Sequence, residues 1–157
     1  MRSRKLKLTI VLGLVVIAST GVNAHMGATG VVKQRMDAMS DMGDAMKAMG
    51  NMVKGKQAFD PEAIASYTEV LEKHSSTLLE FFPDTDESRH GKETEALPKI
   101  WESWERFEEL SNKFVMSVSE LKKGAANGLD KRSFRILYSK TAKSCSSCHD
   151  DYRRPKE

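Results

Sequence analysis

The chain has 157 residues, 39% hydrophobic and 30% charged, with 7% aromatic, 10 Gly, 4 Pro and 2 Cys. That length suits one domain with a real core, and the composition excludes collagen, disordered and disulfide-scaffold classes. The formal charge of +3 is a property of the targeting segment and carries no argument for nucleic acid. Arg2, Arg4, Lys5 and Lys7 precede an apolar run from Leu8 to Ala18, and Val22 and Ala24 stand at −3 and −1 of a cleavage site. This pattern reads as a secretory signal peptide over 1–24, and the apolar run is too short to span a membrane easily. Removing four basic residues leaves a mature chain, 25–157, with a net charge of about −1. That near-neutral charge gives no basis for nucleic-acid binding.

The first predicted helix runs from about Thr29 to Lys54. Val32, Met36, Met39, Met42, Met46, Met49 and Val53 recur in steps of three and four along it, the helical period. Asp60-Pro61 starts the second as an N-cap followed by proline at the first helical position. Its stripe is Ile64, Tyr67, Leu71, His74, Leu78 and Phe81, and Pro83 stops it. Asp84 to Leu97 is polar and irregular. Pro98 opens a third helix with Trp101, Trp104, Phe107, Leu110, Phe114, Val118 and Leu121 inward, broken by Gly124 and Gly128. Asp130 caps a fourth that carries Phe134, Leu137, Thr141, Cys145 and Cys148 and ends near Pro155. Four amphipathic helices with mostly short joins predict an antiparallel up-down-up-down four-helix bundle, an all-α fold.

The chemistry concentrates in Cys145-Ser146-Ser147-Cys148-His149, the spacing of c-type haem attachment. Two thiols can add across the haem vinyl groups while the adjacent imidazole supplies an axial nitrogen to iron. On a helix, positions 145, 148 and 149 project to one side. Three other readings fit less well. A redox dithiol wants a strand–helix context, and a disulfide three residues apart closes too small a loop to stabilise much. A zinc site lacks further ligands, since His25, His74 and His90 are scattered. The six methionines between 36 and 52 could bind Cu(I) through soft thioethers, but such a stripe more often fills a core. His74 reads as a satisfied core or haem-edge residue, while His25 and His90 read as solvated. Glu102, Glu105, Glu108 and Glu109 read as the wet face of the third helix. No constellation for enzymatic catalysis is found.

The attachment motif at the C-terminal end of a four-helix bundle, followed by Asp150-Asp151-Tyr152-Arg153, resembles class II cytochromes c, the cytochrome c-prime family. Arg35, Met39 and Gly43 at intervals of four, and Pro98-Lys99-Ile100-Trp101, match as well. The resemblance implies one covalent haem c held by Cys145 and Cys148, with His149 as the proximal iron ligand and Arg153 along the proximal side. It places Arg35 near a haem propionate, Trp101 near the haem edge and Met39 at the distal position, as in low-spin members of the c-556 type. It implies a periplasmic electron-transfer protein with redox partner proteins, His/Met ligation and, as in many relatives, a homodimer. The high-spin branch of the family implies the alternative, a haem protein that binds nitric oxide.

Overall fold

The computed structural model describes residues 27–155; the segment 1–24 expected to be a signal peptide, and His25, lie outside them. Four long helices carry the fold: α1 (Gly30–Val53), α2 (Pro61–Ser75), α5 (Trp104–Ala126) and α6 (Lys131–Tyr152). Two short ones, α3 (Asp86–His90) and α4 (Lys99–Glu102), lie in the long connection. α1 packs against α2 and α6, and α5 packs against the same two, so α1 and α5 face each other diagonally. The direction alternates along the chain. Arg135 at the start of α6 reaches the carbonyl of Val53 at the end of α1 at 3.4 Å. At the opposite end the Tyr152 ring lies 5.4 Å from Phe107. This is the up-down-up-down bundle.

Local chemistry sets the helix starts. Asp60 accepts hydrogen bonds from the backbone N–H groups of Glu62 and Ala63, both at 3.1 Å, with Pro61 at the first helical position. Asp130 does the same for Arg132 and Ser133, at 2.7 and 2.9 Å. Each bond satisfies a donor that the helix leaves orphaned. Asp60→Ala should therefore lower stability by about 1 kcal/mol, read as a drop in the midpoint of chemical unfolding. At the start of α1, Thr29 takes the extended N-cap conformation but makes no side-chain capping bond. Gly30 follows at φ +51°, and a Cβ there would lie 1.9 Å from Oε1 of Glu87. Only glycine admits both the backbone angle and that carboxylate.

Two boundaries depart from expectation. The second helix stops at Ser75 rather than at Pro83, and a 3₁₀ turn covers Leu78–Phe81. The run Ser75-Ser76-Thr77 turns its hydroxyls back onto the carbonyls of Glu72 and Lys73, bonds that compete with helix propagation. The third helix is split at Ser103, whose φ −134° and ψ 51° are not helical. Ser103 Oγ donates to the Lys99 carbonyl at 2.7 Å and meets the Tyr152 hydroxyl at 2.9 Å. A contact from α6 thus turns the chain between α4 and α5. The connection, expected to be irregular throughout, holds α3, capped by Thr85 through a bond from the Ser88 N–H.

The core runs along the bundle axis through Met42, Met49, Ile64, Leu71, Phe107, Leu110, Phe114, Val118, Leu121 and Phe134. Met36, Met39 and Met46 are only half-buried. Their stripe faces a space in the bundle rather than a neighbouring helix. No described helix is long and apolar enough to cross a membrane.

Candidate functional site

That space is a slot between α1 and α6, closed on its inner side by α5. It has two lobes of about 230 and 450 Å³, the larger within the usual size of ligand pockets. Both lobes are lined by Met39 and Gly43 of α1, by Leu78, and by Cys148 and His149 of α6, so they are one continuous site. The smaller lobe is apolar, walled by Met42, Met46, Leu110, Phe114, Tyr138 and Cys145. The larger one leads to a polar mouth with Arg35, Ser40, Thr94, Glu95 and Arg153. A flat apolar ring with charged groups on one edge fits that division. Gly43 opens the α1 wall, because a Cβ there would meet nothing within 4 Å.

Cys145 and Cys148 sit half-buried on the α6 wall with free thiols. Burial pushes both thiols up to about 11; for Cys148 the neighbouring Cys145 and Asp151 add to the rise. A redox dithiol works through a thiol with a depressed value, so the environment runs against the dithiol reading. Among the described residues no group of three His, Cys, Asp or Glu is placed to hold a metal ion, which disfavours the zinc reading. What remains is a pair of neutral thiols and an imidazole on one wall of an apolar slot. Those are the groups that covalent haem attachment needs.

The other expected residues fall in different places. Arg153 is at the slot mouth, with Nε 4.0 Å from Glu95 and its backbone N–H bonded to the His149 carbonyl. Arg35 lines the mouth but is 5% exposed, and its five N–H groups are all taken by protein oxygens. Nε and Nη2 donate to the Phe81 carbonyl at 3.0 and 2.9 Å. Nη2 also meets Ser88 Oγ at 2.6 Å, Nη1 meets Thr94 Oγ1 at 3.0 Å, and both share the Ser88 carbonyl at 3.3 Å. Burial lowers its pKa to about 10, so it stays charged at neutral pH. Trp101 lies behind Phe82, which itself lines the slot. Its indole N–H donates to the Phe82 and Pro83 carbonyls at 3.1 and 3.2 Å, and its ring lies 5.1 Å from the Arg89 guanidinium.

His74 does not line the slot. It bonds Asp41 at 3.0 Å in a separate surface groove between α1 and α2, satisfied but not at the slot. His90 is exposed beside Asp86. Thr94, Ala96 and Tyr138 also line the slot and were missed by sequence reasoning. Thr94 and Ala96 sit in the polar connection, where no periodicity marks them. Tyr138 follows the inward-facing Leu137 on α6, and that adjacency is the one available signal.

Fold and site together define a four-helix c-type cytochrome. The family model for Cytochrome C' matches residues 30–153, and the chain belongs to that family. It is 33% identical to a cytochrome c' of Rhodopseudomonas palustris over 97% of this chain and 99% of that one. It is 24% identical to a cytochrome c-556 of the same organism over 94% and 97%. Among solved structures it is similar to a nitric oxide complex of a cytochrome c prime variant from Alcaligenes xylosoxidans. That match has 28% identity and a TM-score of 0.71, and covers 80% of this chain and 94% of that one. As a member of this family the chain is a monohaem cytochrome with one covalent c-type haem.

Proposed function

We propose that the protein is an exported, periplasmic haem protein that binds small gaseous ligands such as nitric oxide at the distal side of the slot. Cys145 and Cys148 would hold the haem and His149 would be its proximal ligand. The haem, when bound, supplies an iron centre for one-electron chemistry and for diatomic ligands. The chain does the rest. The walls exclude water from the smaller lobe, Arg153 and the charged Arg35 place positive charge at the polar mouth, and Met39 stands on the wall opposite His149. No substrate is turned over in this reading.

One observation carries the assignment of sides. Met39 and His149 each line both lobes, from opposite helices, as a distal and a proximal residue must. The wall beside Met39 is open at Gly43, which leaves room for a small ligand once the sulfur moves aside. The match to cytochrome c' is stronger than that to c-556, and the nitric oxide complex is a relative's property that this reading extends to the present chain. The electron-transfer reading, with Met39 as permanent sixth ligand, is second and rests on the thioether at that position.

The visible spectrum of the purified holoprotein separates the two. A high-spin ferric spectrum, with carbon monoxide bound rapidly by the ferrous form, is expected. A low-spin ferric spectrum with a sulfur-to-iron charge-transfer band would establish the electron carrier instead. Absence of any haem in a pyridine haemochrome assay would defeat both.

A further inference from the structure

The connection between α2 and α5 is more than a linker. Residues 81–97 form a strap across the polar mouth of the slot, and Phe82, Thr94, Glu95 and Ala96 of the strap line the site. The strap is tied at both edges. On one edge Arg35 of α1 holds it through Phe81, Ser88 and Thr94, and stacks 4.3 Å above the Phe82 ring. Close packing seconds this: a Cβ on Gly30 would strike Glu87, and one on Gly91 would lie 2.8 Å from Val32 Cγ2. On the other edge Ala96 forms an antiparallel bridge with Arg153. The Leu97 N–H donates to the Tyr152 carbonyl at 3.0 Å and the Arg154 N–H to the Glu95 carbonyl at 2.8 Å.

The two anchors have a telling register. Arg35 is one helical turn before Met39, and Arg153 is one turn after His149. The strap therefore joins the distal helix to the proximal helix next to the two residues that face each other across the slot. At the far end of the bundle a separate bond, Arg135 to the Val53 carbonyl, ties α6 to α1. A buried guanidinium with no carboxylate partner is costly to keep. Here it satisfies five donors on neutral oxygens of a single segment, which a lysine could not do.

We propose that Arg35 is a positioning residue, the clasp of a strap that fixes the separation of α1 and α6 and so sets how closely Met39 guards the distal side. Its main task is then strap geometry rather than direct salt-bridging of a propionate. This rests on the reading of the slot as the haem site with Met39 distal, but on neither spin state.

The test uses the haem-loaded mature chain and its Arg35→Lys variant, which keeps the charge and loses the fork. Amide hydrogen exchange should quicken about tenfold or more across 82–96, the signature of easier local opening, while α5 is unchanged. Carbon monoxide should bind the ferrous variant several-fold faster. Ser88→Ala with Thr94→Val, which leaves Arg35 in place and removes two acceptors, should shift both readouts the same way by less. That pair keeps the test valid if Arg35→Lys does not fold. Unchanged strap exchange in both variants overturns the proposal, as does faster exchange with an unchanged carbon monoxide rate. Haem content is assayed on the same samples. Its absence from the parent protein would sink the haem reading, while strap exchange would still report on the clasp.

Discussion

No haem should remain on the polypeptide in a denaturing gel once Cys145 and Cys148 are both replaced by alanine. Either single variant should retain at most one thioether, and Cys148→Ala should be the more damaging. Cys148 lines both lobes of the slot, whereas Cys145 lines only the smaller. The effect reaches past attachment. The slot is walled by Met42, Leu110, Phe114 and Phe82, apolar groups that lose their packing partners when nothing fills it. A stability of about 5–15 kcal/mol is typical of a domain, and leaving large side chains beside a void costs about 2–5 kcal/mol at a single core site. The haem-free double variant should therefore lose its sharp thermal transition and its near-ultraviolet circular dichroism while keeping most of its helix signal. A cooperative transition at the temperature of the parent holoprotein would show that the bundle does not depend on the group in its slot.

Met39→Ala should speed carbon monoxide binding to the ferrous protein about tenfold, equivalent to about 1.4 kcal/mol off the entry barrier. The matching changes at Met36 and Met42 should leave the rate nearly unchanged. The three sulfurs are not equivalent. Successive residues turn about 100°, so Met36 and Met42 lie to either side of Met39. Met46 points almost the same way but sits about 10 Å further along the axis. The cavity walls reflect this. Met36 lines only the larger lobe, Met42 and Met46 only the smaller, and Met39 lines both. Stopped-flow mixing of the three variants ranks them directly. A low-spin parent that turns high-spin in Met39→Leu would make Met39 the sixth ligand and restore the electron-transfer reading. A rate that responds to Met36 or Met42 but not to Met39 would show that the distal register is wrong.

The amino-acid sequence by itself determined the attachment motif, since its five residues are contiguous and a helix brings Cys145, Cys148 and His149 to one side without help from the rest of the chain. It determined the four long helices and the caps at Asp60 and Asp130 for the same reason: periodicity and capping are local. It also placed Arg35, Met39 and Gly43 on one helix face, though choosing Met39 from six methionines leaned on resemblance to the family. The tertiary structure decided the rest. The serines and threonine after α2 look like a continuing helix until their hydroxyls are seen bonding backwards. The break at Ser103 depends on Tyr152, nearly fifty residues away. Arg35 is legible as a charged residue near the site, but its partners Phe81, Ser88 and Thr94 are separated from it by 46 to 59 positions. They lie in a polar segment with no period to read. A hydrogen-bond network between distant segments leaves no trace in either segment's own pattern, because each donor and acceptor is equally content in water until the chain is folded.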